Sequence, residues 1–447
     1  MNTHFFNKGF IVSALSSDSG KTLITAALIN LLQKKGYKIG SFKVGPDYID
    51  PMFHQKITQN ICFNIDLWGM PQTRVHATVG YLLDHNDWVV GEGVMGLFDG
   101  SQSVGFCTAD IATLINLPII LTVNCHRLAE TIFPIIQGIL NFQKQFKVAG
   151  IILNQVGSKR HAEILAKSLQ ELQVPILGYL PRLNDLVLHH RHLGLHQPTD
   201  IQGFQEKFDL ISNLVAQYLD IDRLINIVEK NSAIKNPSLQ PLSFPKVSLP
   251  VLGQRIAVAF DEAFSFVYPV LLESWRLAGA EIFLFSPLAQ QQPPSHVDAV
   301  YLPGGYPELY LKEISQNRGF LNALKNLSDD SSTVIYGECG GFMVMGQNIE
   351  DKNGNLWPMA GLFDLVTSMQ HEKLVLGYRQ VQTLQKTILG PAGSHYRGHE
   401  FHYARSTKAS SDQHLYRVLD NQAGELGLAG LQRKKTIGSF IHLIDKE

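Results

Sequence analysis

Two short motifs contain residue types that can carry out group transfer, and they lie in opposite halves of the chain. The first, Gly20-Lys21-Thr22, follows a short apolar segment and a loop of small residues, and an apolar helical pattern begins directly after it. Strand, small-residue loop, Gly-Lys-Thr and helix is the arrangement of a phosphate-binding loop. In such a loop the Lys21 ammonium would contact the outer phosphates of ATP, and the Thr22 hydroxyl would bind Mg²⁺.

This loop departs from the usual pattern, G-x-x-x-x-G-K-[ST], at its first glycine. Leu15 occupies that position, and Ala14 precedes it. A serine-rich but otherwise ordinary helix start is therefore an alternative interpretation. We predict nucleotide binding at Gly20, Lys21 and Thr22 because the following segments supply suitable acidic residues.

Acidic residues follow two further strand candidates of the first half. Asp47 and Asp50 come after the segment that ends at Val44, and Glu92 and Asp99 follow the apolar segment 88–90. Open α/β sheets bind ligands at the carboxyl ends of their strands. An acidic residue just past a buried strand often binds Mg²⁺ or water in phosphate-loop enzymes. The alternative is that these carboxylates only cap turns or helices.

The second reactive motif is G-x-C-x-G at 337–341, with Cys339 at its centre. It lies between a strand candidate, 333–336, and an apolar helical stretch, which is the arrangement of a nucleophile elbow with cysteine in place of serine. The start of the helix is expected to lower the pKa of the thiol and favour the thiolate. An inert buried cysteine is the alternative.

A thiol nucleophile needs a general base. His442 follows the apolar run 437–441, and His399 and His402 lie about forty residues earlier. Residue types alone do not choose among these three histidines.

The elements that must position these residues alternate between apolar strand candidates and helical stretches. Strands that are apolar without alternation indicate a parallel sheet covered on both faces. The strand candidates are 37–44, 88–90, 118–123, 148–154, 174–179, 255–260, 280–285, 299–303 and 333–336. The helical candidates include 129–142 and 204–228. A Pro- and Ser-rich segment, 231–253, reads as a linker between a domain at 1–230 and a domain at 254–447.

Composition excludes several functional classes. The 447 residues carry a net charge of -1 and no marked run of Lys and Arg, which argues against a nucleic-acid partner. Four cysteines without C-x-x-C spacing argue against a disulfide framework and fit a reducing cytoplasm. No apolar run approaches the ~18 residues that a membrane span needs. The histidine-rich stretch 189–196 lacks a cysteine or carboxylate at ligand spacing, so we expect solvent, anion or substrate contacts there and not zinc.

These features together resemble the glutamine amidotransferase synthetases of corrinoid synthesis, the cobyrinic acid a,c-diamide synthase family. The similarity spans nearly the whole chain. It rests on the segments 42–50, 92–100, 191–195, 261–264, 304–310, 338–341 and 397–403.

The resemblance implies an α/β fold with a P-loop NTPase-like parallel sheet in the first domain and a class I glutamine amidotransferase-like second domain. It also implies a cytoplasmic ligase of cobalamin biosynthesis. ATP and Mg²⁺ would activate the a and c carboxylates of cobyrinic acid in turn as acyl phosphates, and ammonia from glutamine would displace the phosphate. The partners would be these small molecules, with no nucleic acid and no membrane, and a homodimer is a candidate assembly.

The resemblance also assigns residue roles. Cys339 would attack the glutamine amide, and His442 would increase its nucleophilicity. Backbone N–H groups near Gly305 and Gly340 would form the oxyanion hole. Substrate activation or binding would fall to Asp47, Asp50, Asp99 and His192. Metal binding would fall to Thr22, Glu92 and Asp47.

Several positions depart from the family pattern, and other functions stay open. Besides Ala14 and Leu15, the departures are Asn124, His190 and Ile444. The same chemistry on hydrogenobyrinic acid or nickel-sirohydrochlorin is one alternative, since the ATP and glutamine motifs do not touch the ring. A degenerate, non-catalytic protein that binds nucleotide or corrinoid is another.

Overall fold

The computed structural model describes the chain in several stretches, which form two compact units, Met1–Pro245 and Lys246–Glu447. The division falls inside the predicted linker, 231–253. The candidate residue His192 lies outside the described residues. These are 8–101, 106–142, 145–182, 190–191, 194–195, 197–198, 201–231, 243–245, 249–330, 332–371, 373–407 and 410–447.

The first unit is built on parallel strands. In chain order its strands are β1 (Gly9–Ala14), β2 (Ile39–Val44), β3 (Cys62–Ile65), β4 (Trp88–Glu92), β5 (Gly100–Ser101), β6 (Phe106–Cys107), β7 (Ile119–Asn124), β8 (Val148–Val156), β9 (Ile176–Pro181), β10 (His190–Arg191) and β11 (Gly194–Leu195). Seven of them form one sheet in the order β3-β2-β4-β1-β7-β8-β9, with every pairing parallel. β1 lies in the middle and is buried along its whole length, as its apolar residues Phe10, Ile11 and Val12 predict.

The helices of the first unit connect and cover these strands. They are α1 (Lys21–Lys34), α2 (Ile49–Thr58), α3 (Gln72–His85), α4 (Thr108–Ile115), α5 (Ile132–Phe142), α6 (Lys159–Ser168), α7 (Phe204–Tyr218) and α8 (Ile221–Asn231). The prediction of one helix over 204–228 is wrong. Leu219 adopts an extended conformation and forms a β-bridge with Gly178, so the chain leaves the helix there and begins α8 two residues later.

The second unit combines parallel and antiparallel strands. In chain order they are β12 (Arg255–Ala259), β13 (Glu281–Phe285), β14 (Ala299–Leu302), β15 (Val334–Glu338), β16 (Asn348–Glu350), β17 (Leu356–Pro358), β18 (Val366–Ser368), β19 (Val375–Thr383), β20 (His395–His402), β21 (Arg405–Ser406), β22 (Gln413–Leu419), β23 (Glu425–Arg433), β24 (Thr436–Ser439) and β25 (Ile441–Lys446). Ten form one sheet in the order β13-β12-β14-β15-β24-β23-β22-β19-β20-β25, and β17-β16-β18-β21 form a smaller one.

The large sheet of the second unit changes character at β24. The strands from β13 to β24 are parallel, whereas those from β24 to β25 pair antiparallel. Only Phe440 separates β24 from β25 in the chain, although four strands lie between them in the sheet. The antiparallel half of the sheet must therefore curve so that β25 comes back close to β24.

Helices pack on the parallel half of the second unit. They are α9 (Pro269–Leu277), α10 (Leu311–Gln316), α11 (Arg318–Asp329) and α12 (Gly340–Met345). A core of buried apolar side chains joins these elements, including Val300 on β14, Ile335 on β15 and Phe342 on α12. In the part of the chain that the structure describes, no helix combines the length and apolar character needed to span a bilayer.

The start of α12 packs against β14 so closely that only glycine fits at position 341. A Cβ atom there would lie 2.0 Å from the carbonyl oxygen of Leu302. We expect Gly341→Ala to destabilise the second unit by about 1–3 kcal/mol, because neither backbone can move without distorting the strand. Chemical denaturation of the full chain measures this change.

Gly319→Ala is the matched control, since Gly319 lies in α11 and its nearest contact is the flexible end of Gln292, at 3.3 Å. Alanine favours helix over glycine, so this variant should be neutral or slightly more stable. Equal stability of the two variants would contradict the close packing at Gly341.

Candidate active sites

The phosphate-loop candidate has the geometry that its sequence predicts. Residues 15–20 connect the buried β1 to α1, and Gly20 precedes the helix in a left-handed conformation with φ 82°. A Cβ atom on Gly20 would approach the Asn154 amide nitrogen to 2.6 Å. That amide donates to the Ser19 carbonyl at 2.9 Å, so Asn154 holds the loop from the end of β8. Sequence analysis assigned no role to Asn154.

The unusual Ala14 and Leu15 lie where a second loop covers the phosphate loop. The Leu97 N–H donates to the Ala14 carbonyl at 2.7 Å. A Cβ atom on Gly96 would lie 2.5 Å from the Leu15 carbonyl oxygen, so the two backbones are in close contact. The absence of a side chain at Gly96 therefore leaves room for the Leu15 backbone.

Thr22 connects the phosphate loop to a buried set of polar side chains centred on Glu92. We call Thr22, Lys43, Asp50, His54 and Glu92 the Glu92 network. Glu92, at the end of β4, accepts from the Thr22 hydroxyl at 2.7 Å and from the Lys43 ammonium at 2.9 Å, and its other oxygen lies 2.6 Å from His54 Nε2. Lys43 also donates to Asp50 at 2.6 Å.

Burial opposes the charges of Glu92, Lys43 and Asp50, and neighbouring charges outweigh burial at Glu92 and Lys43 but not at Asp50. Burial opposes the charge on Glu92, but Lys43 and His54 outweigh it and hold the pKa of Glu92 below its usual range. Burial likewise opposes the charge on Lys43, and Asp50 and Glu92 together raise its pKa. Burial and the neighbouring Asp47 raise the pKa of Asp50, against the effect of Lys43. An ammonium placed between two carboxylates can remain charged there because each partner compensates its desolvation.

Lys21 is also buried, and its ammonium donates to the Ser16 carbonyl within the loop at 3.0 Å. Burial and the nearby Lys43 lower the pKa of Lys21. Two ammonium groups thus lie beside the loop, although sequence analysis assigned a role to only one. The signal for Lys43 was a charged residue between the apolar Phe42 and Val44 at the end of the strand candidate 37–44.

The remaining acidic candidates have structural partners. Asp47 accepts from the N–H groups of Ile49 and Asp50, at 2.8 and 3.3 Å, and so caps the start of α2. Asp99 accepts from the Gly96 N–H at 2.8 Å and braces the loop that covers Leu15. Asp50 and Glu92 are brought together by Lys43, whereas Asp47 and Asp99 hold the two loops that carry them.

In the second unit, Cys339 occupies a nucleophile elbow. It lies between β15 and α12 with φ 47° and ψ −108°, a strained conformation for a residue other than glycine. Its N–H donates to the Ser439 carbonyl at 2.8 Å, and its thiol points to the Phe401 carbonyl at 3.7 Å. The strand-to-helix turn predicted from G-x-C-x-G is present.

His442 lies close to Cys339. A Cβ atom on Gly304 would lie 2.4 Å from His442 Cε1 and 3.3 Å from Cys339 Cβ, so both side chains border the same small volume. His399 stacks on His442 at a centroid distance of 5.0 Å and bonds to the Tyr268 hydroxyl at 3.0 Å. His402 stacks on Phe440, and its Nδ1 lies 2.8 Å from the Ala404 carbonyl.

The protonation states at this elbow differ from the expectation. Burial raises the pKa of the Cys339 thiol, and the Glu308 carboxylate raises it further. The Gly340 N–H at the start of α12 does lower this pKa, but burial outweighs it, so the expectation of a net lowering is wrong. Burial lowers the pKa of His442 well below its usual range, with further effects of His399 and His402. The pair therefore rests as thiol and neutral imidazole, and the imidazole is able to accept a proton.

A pocket opens over the thiol and is bordered by charged, aromatic and apolar side chains. Its lining includes Glu308, Cys339, Met343, His402 and Tyr403. Gly305 also lines it, and the Gly305 carbonyl would lie 3.1 Å from a Cβ atom on Gly340, so the two proposed oxyanion-hole residues are neighbours. The Cys339 side chain, itself buried, is therefore part of the lining of this pocket.

The other departures from the family pattern lie in β-strands. Asn124 ends β7, pairs in register with Asn154, and accepts from the His126 N–H at 2.9 Å. Ile444 is buried on β25. Only the backbone of His190, in β10, is described.

Comparison with known proteins assigns each unit. Residues 10–193 match the family model described as the CobQ/CobB/MinD/ParA nucleotide binding domain. Residues 255–447 match the model described as the CobB/CobQ-like glutamine amidotransferase domain. Nucleotide binding and glutamine amidotransfer are therefore combined in one chain.

Curated relatives match the chain over nearly its whole length. Proteins named hydrogenobyrinate a,c-diamide synthase are 39% identical in Brucella anthropi and 40% identical in Brucella abortus, each over 98% of this chain and 98% of the relative. The protein of that name in Rhizobium meliloti is 38% identical over 98% of this chain and 99% of its own. At this identity and coverage, the chain belongs to the a,c-diamide synthase family of glutamine-hydrolysing carbon–nitrogen ligases.

Proposed function

We propose that this protein uses ATP and glutamine to amidate the a and c carboxylates of a corrin-ring acid through acyl-phosphate intermediates. The observation that supports the proposal is the presence, in one chain, of a phosphate loop tied to the Glu92 network and a Cys339 elbow beside His442. The first site suits carboxylate activation, and the second suits release of ammonia from an amide. A degenerate binding protein has no need for either buried arrangement.

In the second unit the chemistry begins at the sulfur. Cys339 attacks the side-chain carbonyl carbon of glutamine, and His442 takes the thiol proton as the carbon–sulfur bond forms. The proton then passes to the amide nitrogen, the carbon–nitrogen bond breaks, and ammonia leaves a γ-glutamyl thioester. Water hydrolyses the thioester to glutamate and restores the thiol. Backbone N–H groups at Gly305 and Gly340 stabilise the oxyanion that forms at each step.

In the first unit the substrate carboxylate attacks the terminal phosphorus of ATP and ADP leaves. Lys21 stabilises the negative charge on the transferred phosphoryl group. Lys43 provides a second fixed positive charge close by, because its two carboxylate partners hold the pKa of its ammonium high. Ammonia then attacks the acyl carbon, phosphate leaves, and the nitrogen loses a proton to give the amide.

The donor atoms beside the loop suit Mg²⁺. Thr22 offers a hydroxyl and Glu92 a carboxylate, which are hard oxygen donors. Within the described residues, no cluster of three or more His, Cys, Asp or Glu side chains could hold a metal alone. Thr22 and Glu92 would hold the ion together with the nucleotide, and the ion would neutralise phosphate charge. Asp47 contributes by fixing the start of α2, on which Asp50 lies.

The ring substrate has three candidates: cobyrinic acid, hydrogenobyrinic acid and nickel-sirohydrochlorin. The family resemblance led us to expect cobyrinic acid, whereas the names of the relatives favour hydrogenobyrinate. The test is mass spectrometry of each acid, and of nickel-sirohydrochlorin, incubated with the protein, Mg²⁺, ATP and glutamine. Two successive mass changes, each the replacement of OH by NH₂ and each dependent on ATP, are expected. Failure to amidate any ring by a folded protein would reject the proposal.

Cys339→Ala separates the two nitrogen sources. We expect it to abolish glutamine-dependent amidation while amidation with a high concentration of ammonia continues at a rate near that of the wild type. The reason is that free ammonia makes the thiol unnecessary, whereas the ATP site is unchanged. Mass spectrometry of the corrin product with each nitrogen source measures this, and loss of both routes in a folded variant would contradict the assigned role.

Lys21→Ala should abolish amidation from both nitrogen sources, since neither works without an activated carboxylate. Loss of a charge that contacts the transferred phosphoryl group costs on the order of 100-fold or more in rate. ADP release with either nitrogen source is the measurement. Lys35→Ala is the matched control, because Lys35 follows the other end of the same helix and pairs with Asp222 at the surface. Retained ADP release in Lys21→Ala would remove this lysine from the mechanism.

A further inference from the structure

The buried carboxylate of Glu338 lies on the Nδ1 side of the His442 ring. An acid on this side can orient a histidine that acts as a base through its other nitrogen. Glu338 ends β15, directly before the nucleophile, and is 3% exposed. Its Oε2 lies 3.9 Å from His442 Nδ1, and neither side chain is exposed to solvent. Catalytic hydrogen bonds are often long before substrate binds and shorten in the complex.

Three donors fix this carboxylate. The Tyr301 hydroxyl donates to Oε2 at 2.7 Å, the Tyr336 hydroxyl donates to Oε1, and the Leu443 N–H donates to Oε1 at 3.1 Å. The two tyrosine rings stack at a centroid distance of 5.5 Å, so each hydroxyl is held in place. Burial raises the pKa of Glu338, and these three hydrogen bonds oppose that rise by favouring the ionised form.

The bond from Leu443 also joins Glu338 to the strand that carries the base. Leu443 follows His442 on β25, so the same carboxylate contacts the β25 backbone and faces the imidazole. The position two residues after His442 on β25 is Ile444, a buried apolar residue that can supply no acid. Among the groups that face His442, Glu338 is an acid, while His399 and His402 disfavour a positive charge on it.

We propose that Glu338 is the positioning residue of the glutamine site, where its carboxylate holds the proton of His442 on Nδ1 and stabilises the imidazolium formed when Cys339 gives up its proton. The proposal rests on the proposed glutamine chemistry of Cys339. With Nδ1 protonated, the lone pair is on Nε2, and the imidazole can accept a proton. Once the thiol proton has moved, the positive ring faces a fixed negative charge in a site with little solvent, where this attraction is strongest.

The proposal is tested by Glu338→Gln in the full chain, with glutamine hydrolysis followed as glutamate release. The expected result is a fall in kcat on the order of 100-fold, because an amide cannot stabilise the imidazolium. KM for glutamine should stay near the wild-type value, since Glu338 does not line the pocket over Cys339. Amidation with free ammonia should be unchanged, and it shows that the variant is folded.

The pH dependence of kcat/KM in Glu338→Gln distinguishes the proposed role from a purely structural one. Loss of a purely structural residue would leave the pH dependence unchanged. Activity requires neutral His442, so the rising limb of kcat/KM reports the pKa of that imidazole. Removing the negative charge should move this limb to lower pH. Alkylation of Cys339 by iodoacetamide, followed on the Cys339 peptide, should slow in parallel because proton removal from the thiol is impaired.

Tyr336→Phe is the matched control, because it removes one hydrogen bond to Glu338 and leaves the charge and the Tyr301 bond intact. It should lower thermal stability about as much as Glu338→Gln but reduce kcat by less than about threefold. Equal losses of kcat in both variants, or a wild-type kcat and pH limb in Glu338→Gln, would overturn the proposal.

If Glu338→Gln does not fold, the pH profile of the Tyr301→Phe variant tests the proposal instead. This variant removes the Tyr301 hydroxyl that donates to Glu338 Oε2, the oxygen that faces His442. The rising limb of kcat/KM should therefore move to higher pH. A limb that stays at the wild-type pH would overturn the proposal. A wild-type protein that hydrolyses glutamine but amidates no corrin acid would reject the proposed function while leaving this inference open to the same measurements.

Discussion

The backbone conformation of Cys339 is the constraint on which the proposed glutamine site depends. A left-handed conformation costs a non-glycine residue about 1–3 kcal/mol, and the surrounding structure must hold it. Here the Cys339 N–H is bound by the Ser439 carbonyl, and α12 starts in contact with β14. Gly340 and Gly341 leave room for these contacts. The turn is therefore maintained by packing on both sides, and the sulfur is directed toward the pocket.

The phosphate loop depends on a different interaction, a buried charge held by opposite charges. Lys43 lies between Asp50 and Glu92, and Glu92 in turn accepts from Thr22 at the start of α1. The register that places Lys43 opposite Glu92 on adjacent parallel strands makes this possible. In the second unit, packing holds the strained backbone of Cys339 in place. In the first unit, the positive charge of buried Lys43 is held by negatively charged neighbours.

Short sequence patterns predicted the features that depend on neighbouring residues in the chain. The phosphate loop, the elbow and the alternation of strands and helices in the first unit follow from residues close together in the chain. The role of Lys43 did not, because it depends on pairing with a strand almost fifty residues away. The choice of His442 over His399 and His402 depends on the curl of the antiparallel half, which no short pattern reveals. The sign of the Cys339 pKa shift was wrong because burial, a property of the whole unit, outweighs the Gly340 N–H at the start of α12.

The return of β25 to the parallel half also bears on how the chain is made. β25 follows every other strand of the large sheet in the sequence, yet it carries His442, the proposed base for Cys339, which directly follows β15. During synthesis, the elbow and its thiol leave the ribosome about a hundred residues before His442. A nascent chain therefore holds Cys339 without its partner. If His442 is the base, as proposed, glutamine cleavage can begin only after β25 has joined the sheet.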